Sequence, residues 1–302
     1  MITVMGASGH TGGEVARRLL RAGRPVRAVG RSAARLAALA AAGAEVCAGD
    51  AADPAFLTAA FRGADAVYAM LPFDPAEPDH LGSQRRLGEA TVAALRAAAV
   101  PAAVALSAVG AGQPAGARTG FIASLHEQET RLGRLSGAGT DVLLLRPGLY
   151  FESLTAALPA IAAQGFNADA VDPDVPLPAV AAEDVGAAAA AALLARDWQG
   201  VAVRELLGPR DLTYREATRI IGAAIGRPDL AYVQLPDAAM AAALVAAGYA
   251  PAAAALHVET ARAFNDGTVA AAGARSAANS TGRTFEAFVA AQVAAATAPA
   301  AA

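Results

Sequence analysis

Gly6-Ala7-Ser8-Gly9-His10-Thr11-Gly12 is the segment whose residue types and spacing point most directly to chemistry. It follows the apolar run Ile2-Thr3-Val4-Met5 and precedes a stretch with Val15, Leu19 and Leu20 on one helical face. A glycine-rich turn between a strand and a helix puts unpaired backbone N–H groups and the positive end of the helix dipole where phosphates can bind. Gly6 suits the tight turn, Gly9 a close backbone approach to a pyrophosphate, and Gly12 the packing of helix on strand. Ser8, His10 and Thr11 complete the loop and count as contacts of the same dinucleotide.

The residues that close the following apolar runs extend this site. The second run ends Val29-Gly30-Arg31-Ser32, with Arg35 one turn on. An Asp or Glu there would hold a ribose 2′-hydroxyl, whereas the Arg31 guanidinium offers a planar fork to a 2′-phosphate and Ser32 adds a hydroxyl. The expected cofactor is therefore NADP(H). Asp50, after Gly49, either accepts a hydrogen bond from the adenine amino group or caps the next helix, and both readings stand. Leu71, Pro72 and Ser107 follow the fourth and fifth apolar runs, at the strand ends where open sheets bind ligands.

Other chemistries find little support. Cys47 is the only cysteine, so the chain can form no internal disulfide, and its setting in Glu45-Val46-Cys47-Ala48 suggests a small buried apolar residue. His10, His80, His126 and His257 lack the close spacing of a metal site, so no metal is expected. All 24 residues of the Lys+Arg count are arginine, so no step here can use a lysine amine. A net charge of −3 argues against tracking a nucleic-acid backbone.

The elements that must position these residues follow from the hydropathy pattern. Apolar runs at Ile2–Met5, Val26–Val29, Glu45–Ala48, Ala66–Leu71, Ala103–Leu106 and Val142–Leu145 are continuous rather than alternating, as in strands covered on both faces. Helical stretches lie between them at Glu14–Arg21, Ser32–Ala42, Pro54–Phe61 and Ser83–Ala99. Strand–helix alternation implies an α/β, doubly wound parallel Rossmann sheet. A cofactor domain over 1–150 and a smaller C-terminal α/β substrate lobe over 151–302 are expected.

Beyond Gly148 the pattern is coarser. Gly165–Ala179 reads as a polar, proline-rich loop, Glu183-Asp184 open a helix to about Arg196, and Val203–Leu207 reads as a strand. Thr213 with Glu216 reads as a capping box before a helix to about Ile225. Asp237–His257 is long and apolar enough to suggest a bilayer span, but Gly248 and Pro251 favour a packed helix and loop. An alanine-rich tail from about Ala295 is expected to fray. With no leader-like start, the expected location is cytoplasmic, with no membrane partner.

Together these features resemble the NmrA-like family of atypical short-chain dehydrogenases. The resemblance rests on the Gly6–Gly12 loop, Leu106-Ser107-Ala108-Val109-Gly110-Ala111, Leu125-His126-Glu127-Gln128-Glu129 and Leu145-Arg146-Pro147-Gly148-Leu149-Tyr150-Phe151-Glu152. It continues through Leu207-Gly208-Pro209, Leu212-Thr213 and Gly282-Arg283-Thr284-Phe285-Glu286. It implies NADP(H) binding, with Pro147 among the cofactor contacts. The family includes reductases of quinones, azo compounds, phenylpropanoid ethers and iminium intermediates, and also catalytically silent redox sensors.

Typical short-chain dehydrogenases use Tyr-x-x-x-Lys, which this chain lacks. His126 lies close to where the lysine would fall, but the position four residues earlier is Ile122. His126 serves as acid or ribose contact, or is simply a histidine near a helix start. Tyr150 either faces the nicotinamide or walls the pocket, and Phe151 is expected beside it. Phe151-Glu152-Ser153 replaces a family pattern that often ends in asparagine, so the resemblance carries no firm role to that position.

The leading reading is an NADPH-dependent reductase of an electron-poor small molecule (quinone, azo, imine or iminium, conjugated carbonyl), with Ser107, His126 and Tyr150 as catalytic candidates. A non-catalytic NADP(H) sensor that binds a partner protein is the alternative, and an isomerase or epimerase on this fold is a weaker third. An apolar cavity facing the nicotinamide would favour the enzyme, and a filled one the sensor. The alanine-rich helices leave both a homodimer and ordinary sheet cover open.

Overall fold

The computed structural model describes residues 1–114 and 116–297. Its N-terminal half alternates strand and helix: β1 (Ile2–Val4), α1 (His10–Arg21), β2 (Val26–Gly30), α2 (Ala33–Ala41), β3 (Glu45–Ala48), α3 (Pro54–Phe61), β4 (Ala66–Ala69), α4 (His80–Ala97), β5 (Ala102–Leu106), α5 (Ile122–Gly133) and β6 (Asp141–Pro147). There follow β7 (Leu149–Tyr150), α6 (Phe151–Thr155), α7 (Leu158–Gln164), β8 (Asn167–Asp169), β9 (Leu177–Val180), α8 (Ala182–Ala195), β10 (Val201–Leu206), β11 (Asp211–Leu212), α9 (Tyr214–Ala224), β12 (Tyr232–Gln234), α10 (Asp237–Ala246), α11 (Pro251–Asn265) and α12 (Phe285–Thr297).

Seven parallel strands form one sheet in the order β10-β6-β5-β4-β1-β2-β3. The chain reverses direction between β1 and β4, the crevice where doubly wound sheets bind ligands. Alternate residues of each strand feed two separate cores. Val4, Ala28, Tyr68, Val104 and Leu143 pack with residues of α1 and α8. Met5, Val29, Val67, Ala103 and Val142 pack with residues of α3 and α4 on the other face. Burial on both sides explains why the strand sequences are apolar throughout.

The alanine content of α8 has a packing purpose. A Cβ on Gly186 would lie 2.7 Å from the Glu14 Cβ and 2.9 Å from the Thr11 carbonyl, so α8 approaches the backbone of α1 at a site where only glycine fits. Residues 182–206 thus return to the sheet, with α8 on α1 and β10 beside β6. The second lobe is assembled from segments on either side of them, rather than as one continuous piece beginning at residue 151. Its core holds Phe151, Leu154, Ile161, Tyr214, Ile221 and Phe285.

Several local expectations change. The segment 165–179, read as a loop, contains β8 and begins β9, which pair with β12 and with β7 and β11. Strands of three and four residues are too short to show a period and find their partners far along the chain. β4 stops at Ala69, leaving Met70, Leu71 and Pro72 in the connection to α4. Thr213 caps α9 by accepting from the Glu216 N–H at 3.1 Å, but the Glu216 carboxylate turns to Arg210 instead of completing the box.

Cys47 is half-buried rather than fully buried, because β3 is an edge strand. Asp237–His257 forms α10, a turn and the start of α11, and among the described residues no helix is long and apolar enough to cross a membrane. The tail from 298 onward lies outside the described residues.

Candidate functional site: a dinucleotide crevice and an adjoining cavity

At the crevice, Gly6 has φ +60°, the left-handed region where glycine is favoured. A Cβ at Gly12 would sit 2.4 Å from the Gly6 carbonyl and 2.7 Å from that of Met5. Gly12 therefore lets α1 lie directly on the turn. Gly9 stands at the N-cap of α1, where it offers no side chain to the helix N–H groups, and no acidic residue occupies the first turn. Gly9 and His10 are exposed, Ser8 is half-buried, and Thr11 is buried. An uncapped helix start with no carboxylate in its first turn is chemically suited to a pyrophosphate.

Arg31 leaves the end of β2 with its side chain 70% exposed and only a distant approach, 3.9 Å, to Asp74. Its guanidinium is free to meet a phosphate. Ser32 is committed differently from its expected role: its Oγ caps α2, accepting from the Arg35 N–H at 3.5 Å. Asp50 accepts from the Ala52 N–H at 2.9 Å, while Asp53 caps α3, so Asp50 shapes the turn without capping the helix. Leu71 and Pro72 are half-buried, and the Pro72 carbonyl accepts from Gln84 Nε2 at 2.7 Å. Pro147 ends β6, and its carbonyl accepts from the Val109 N–H at 2.8 Å, tying β6 to the loop that carries Ser107.

The loop after β5 is held by an ion pair to which sequence reasoning gave no role. Ser107 Oγ donates to Glu129 Oε1 at 2.6 Å. Arg146 grips the same carboxylate through two bonds, at 2.8 and 2.6 Å. The Glu129 carboxylate raises the Arg146 pKa, against the opposing effect of burial. Ser107 is thus a fixed part of a buried network, its proton already donated. His126 of α5 joins the same loop: its Nδ1 lies 2.9 Å from the Ala111 carbonyl, and among the described residues Nε2 has no hydrogen-bond partner. Both Glu129 and Arg146 stand in the motifs quoted above. Their link spans 17 positions and two elements, so neither motif alone revealed it.

Tyr150 lies elsewhere. Burial first, then the Tyr68 phenol and the Glu152 carboxylate, raise its pKa well above the ordinary value. That is opposite to the activation a Tyr–Lys pair provides. Phe151 is 1% exposed, with its ring 5.2 Å from Phe285 and 5.5 Å from Phe288, so it belongs to the core of the second lobe and not to a pocket wall. Glu152 accepts from the Ala182 N–H at 3.1 Å and closes the start of α8.

Beside the crevice lies a cavity of about 720 Å³. Phe73 and Phe121 line it from the sheet side, and alanines of the α6–α7 connection, of α7 and of α10 with Leu149, Met240 and Phe264 make much of the remaining wall. Neither Ser107, His126 nor Tyr150 is among its lining residues. Its polar end was not foreseen: Asp169 of β8, Tyr214 of α9 and His257 of α11. Burial, followed by the charge of Asp169, holds the Tyr214 phenol far above its usual range. Among the described residues no group of His, Cys, Asp and Glu is arranged to hold a metal.

Sheet order, glycine turn and adjoining cavity define a dinucleotide-binding α/β protein with space for a second, apolar ligand. The chain belongs to the NmrA-like family, whose model matches residues 1–288. It is 35% identical over 228 residues to the (4-alkanoyl-5-oxo-2,5-dihydrofuran-3-yl)methyl phosphate reductase of Streptomyces griseus, covering 76% of this chain and 75% of that one. Over 229 residues it is 29% identical to the NAD(P)H azoreductase of Xenophilus azovorans, with the same coverage. Among solved structures it is similar to an NADPH-dependent quinone oxidoreductase of Escherichia coli in complex with NADPH. That likeness has a TM-score of 0.79 at 24% identity, covering 97% of this chain and 99% of that one, and it concerns the fold.

Proposed function

We propose that this protein is an NADPH-dependent reductase that passes hydride to an electron-poor small molecule: a quinone, an azo compound, an imine or iminium ion, or a conjugated carbonyl. The observation that carries this reading is the apolar cavity of about 720 Å³ at the sheet's ligand-binding edge. A sensor can have that space filled by its own side chains, whereas a reductase must bring an acceptor up to the nicotinamide. The names of the relatives point the same way, since the two curated ones and the solved structure are all called reductases or oxidoreductases.

Gly6, Ser8, Gly9, His10, Thr11 and Gly12 would hold the pyrophosphate, and Arg31 the 2′-phosphate. The bound NADPH would supply hydride chemistry. Ser32, Asp50, Leu71, Pro72 and Pro147 would shape the crevice around it. Ser107, fixed by Glu129 and Arg146, would set the loop that carries Ala111, and His126, held from α5 against the Ala111 carbonyl, would present Nε2. Without lysine, and with burial raising the Tyr150 pKa and so weakening it as an acid, the site lacks the strong proton donor an unactivated ketone needs. The electron-poor acceptors require less help.

The test is oxidation of NADPH, with NADH in parallel, against a quinone, an azo dye, a cyclic iminium ion, a conjugated carbonyl and a simple ketone. The expected result is turnover of at least one electron-poor acceptor, with NADPH preferred and the ketone left unreduced. Tight NADPH binding with no turnover of any acceptor would return the sensor reading.

A further inference from the structure

The polar end of the cavity is built as a unit. The Asp169 carboxylate accepts from the Ala170 N–H at 2.7 Å and the Val171 N–H at 3.2 Å through Oδ1. Its Oδ2 receives the Tyr214 hydroxyl at 3.3 Å and lies 3.2 Å from His257 Nε2. Two backbone donors and a buried phenol therefore fix the carboxylate, and the carboxylate fixes the imidazole by one nitrogen. Among the described residues the other ring nitrogen, Nδ1, has no protein partner, and His257 lines the cavity.

The position of this unit matters as much as its bonds. One turn beyond His257, Thr260 Oγ1 accepts from the Phe121 N–H at 3.1 Å, just ahead of α5. Phe121 itself walls the cavity on the sheet side. The imidazole is thus at the junction of the two lobes, one helical turn from the segment that leads into the His126 helix. No arginine lines the cavity, and its two phenols, Tyr214 and Tyr249, are both raised by burial and by the charge of Asp169. Among the described residues, a protonated His257 would be the only cation facing a ligand there.

We propose that His257, oriented by Asp169 and Tyr214, is the donor to a ligand oxyanion in this cavity, and that the preferred acceptors carry a carbonyl oxygen. Conjugated carbonyls and quinones fit; iminium ions, which finish with no oxyanion, do not use it. The inference rests on the reductase reading for the origin of that charge. When the β-carbon of a conjugated carbonyl takes up a hydride, a C–H bond forms there with both of its electrons. The C=C π pair shifts toward the carbonyl, whose oxygen gains the negative charge. That oxygen takes the Nδ1 proton of the imidazolium, which is restored from water, and the resulting enol reverts to the saturated carbonyl. One hydride and one proton are consumed. His257 is then a catalytic residue, and Asp169 a positioning residue that acts through it.

The test begins without cofactor, using p-nitrophenol, whose visible band separates phenolate from phenol, and nitrobenzene, which fits the same space with no oxyanion. The full-length protein should bind the phenolate form. His257→Gln should weaken phenolate binding at least about tenfold and leave nitrobenzene unchanged, with Asp169→Asn following in the same direction. Unchanged phenolate binding in His257→Gln would overturn the proposal, as would an equal loss of both ligands, which would make the unit a structural tie. With NADPH present, His257→Gln should slow a conjugated carbonyl and spare an iminium ion; equal effects on both would also overturn it. If no acceptor is reduced by the unaltered protein, the reductase reading fails by itself, and the binding arm still decides whether His257 holds an oxyanion.

Discussion

The glycine turn and the cavity face the same edge of the sheet but are built in opposite ways. The turn is contiguous: seven consecutive residues provide φ +60° at Gly6, the close approach at Gly12 and the open helix start at Gly9. The cavity is gathered from distant segments, and its polar end joins Asp169 to His257 across 88 positions. A contiguous device depends on backbone conformation and fails when a side chain is added. A gathered one depends on packing and charge pairing between elements, and fails when one partner is removed.

The largest expected effect is at a second gathered device, the Glu129–Arg146 pair behind the loop after β5. Glu129→Ala leaves the Arg146 guanidinium, 16% exposed, without its carboxylate, and should cost about 3–5 kcal/mol. Urea unfolding measures it, and loss of the Ser107 anchor should disorder the loop to Ala111. On the contiguous side, Gly12→Val drives a side chain into the Gly6 carbonyl, at a cost of about 1–3 kcal/mol in stability. Its sharper signature is selective: NADPH binding by calorimetry should fall below detection, while nitrobenzene still enters the cavity. Loss of both would mean that the two regions are not separable.

Arg31→Ala should weaken NADPH about tenfold, as removal of one exposed charge-assisted phosphate contact does, and leave NADH affinity unchanged. An equal loss for both nucleotides would remove Arg31 from the 2′-phosphate. The smallest effect tests α1 where it packs against α8 behind the glycine turn. Burial pushes the Glu14 carboxyl up, but its bonds to Arg17 and Arg18 outweigh that and hold its pKa below the ordinary value. A lowered folded-state pKa adds stability above the unfolded value, and that stability disappears as pH falls through the folded one. Glu14→Gln should therefore cost about 1 kcal/mol at neutral pH, limited by the exposed arginines. The difference from the unaltered protein should shrink as pH falls below about 4.

The same contrast explains what the sequence made legible. Strand runs buried on both faces are apolar at every position, so the doubly wound sheet and the glycine turn could be read directly. Arg31 stood out because the end of β2 has a fixed chemical meaning in this fold, and its hold on a 2′-phosphate is part of the proposal. Asp169 could not, since β8 has three residues and its partner β12 lies more than sixty positions on. His257 sits in an alanine-rich helix, and nothing local separates it from an ordinary helical histidine. Ser107 was recognised, but its hydroxyl is committed to Glu129, a partner supplied by another element. Phe151 showed the same limit: an aromatic after β7 reads as a wall, and only Phe285 and Phe288, far along the chain, make it core.

The most direct test of hydride transfer at this edge is to supply NADPH deuterated at the transferring carbon, with a conjugated carbonyl as acceptor, and to weigh the product. Reductase chemistry predicts product carrying one deuterium at the β-carbon, formed in step with the loss of reduced-nicotinamide absorbance. Product without the label, or bound NADPH that stays reduced against every acceptor, would contradict it.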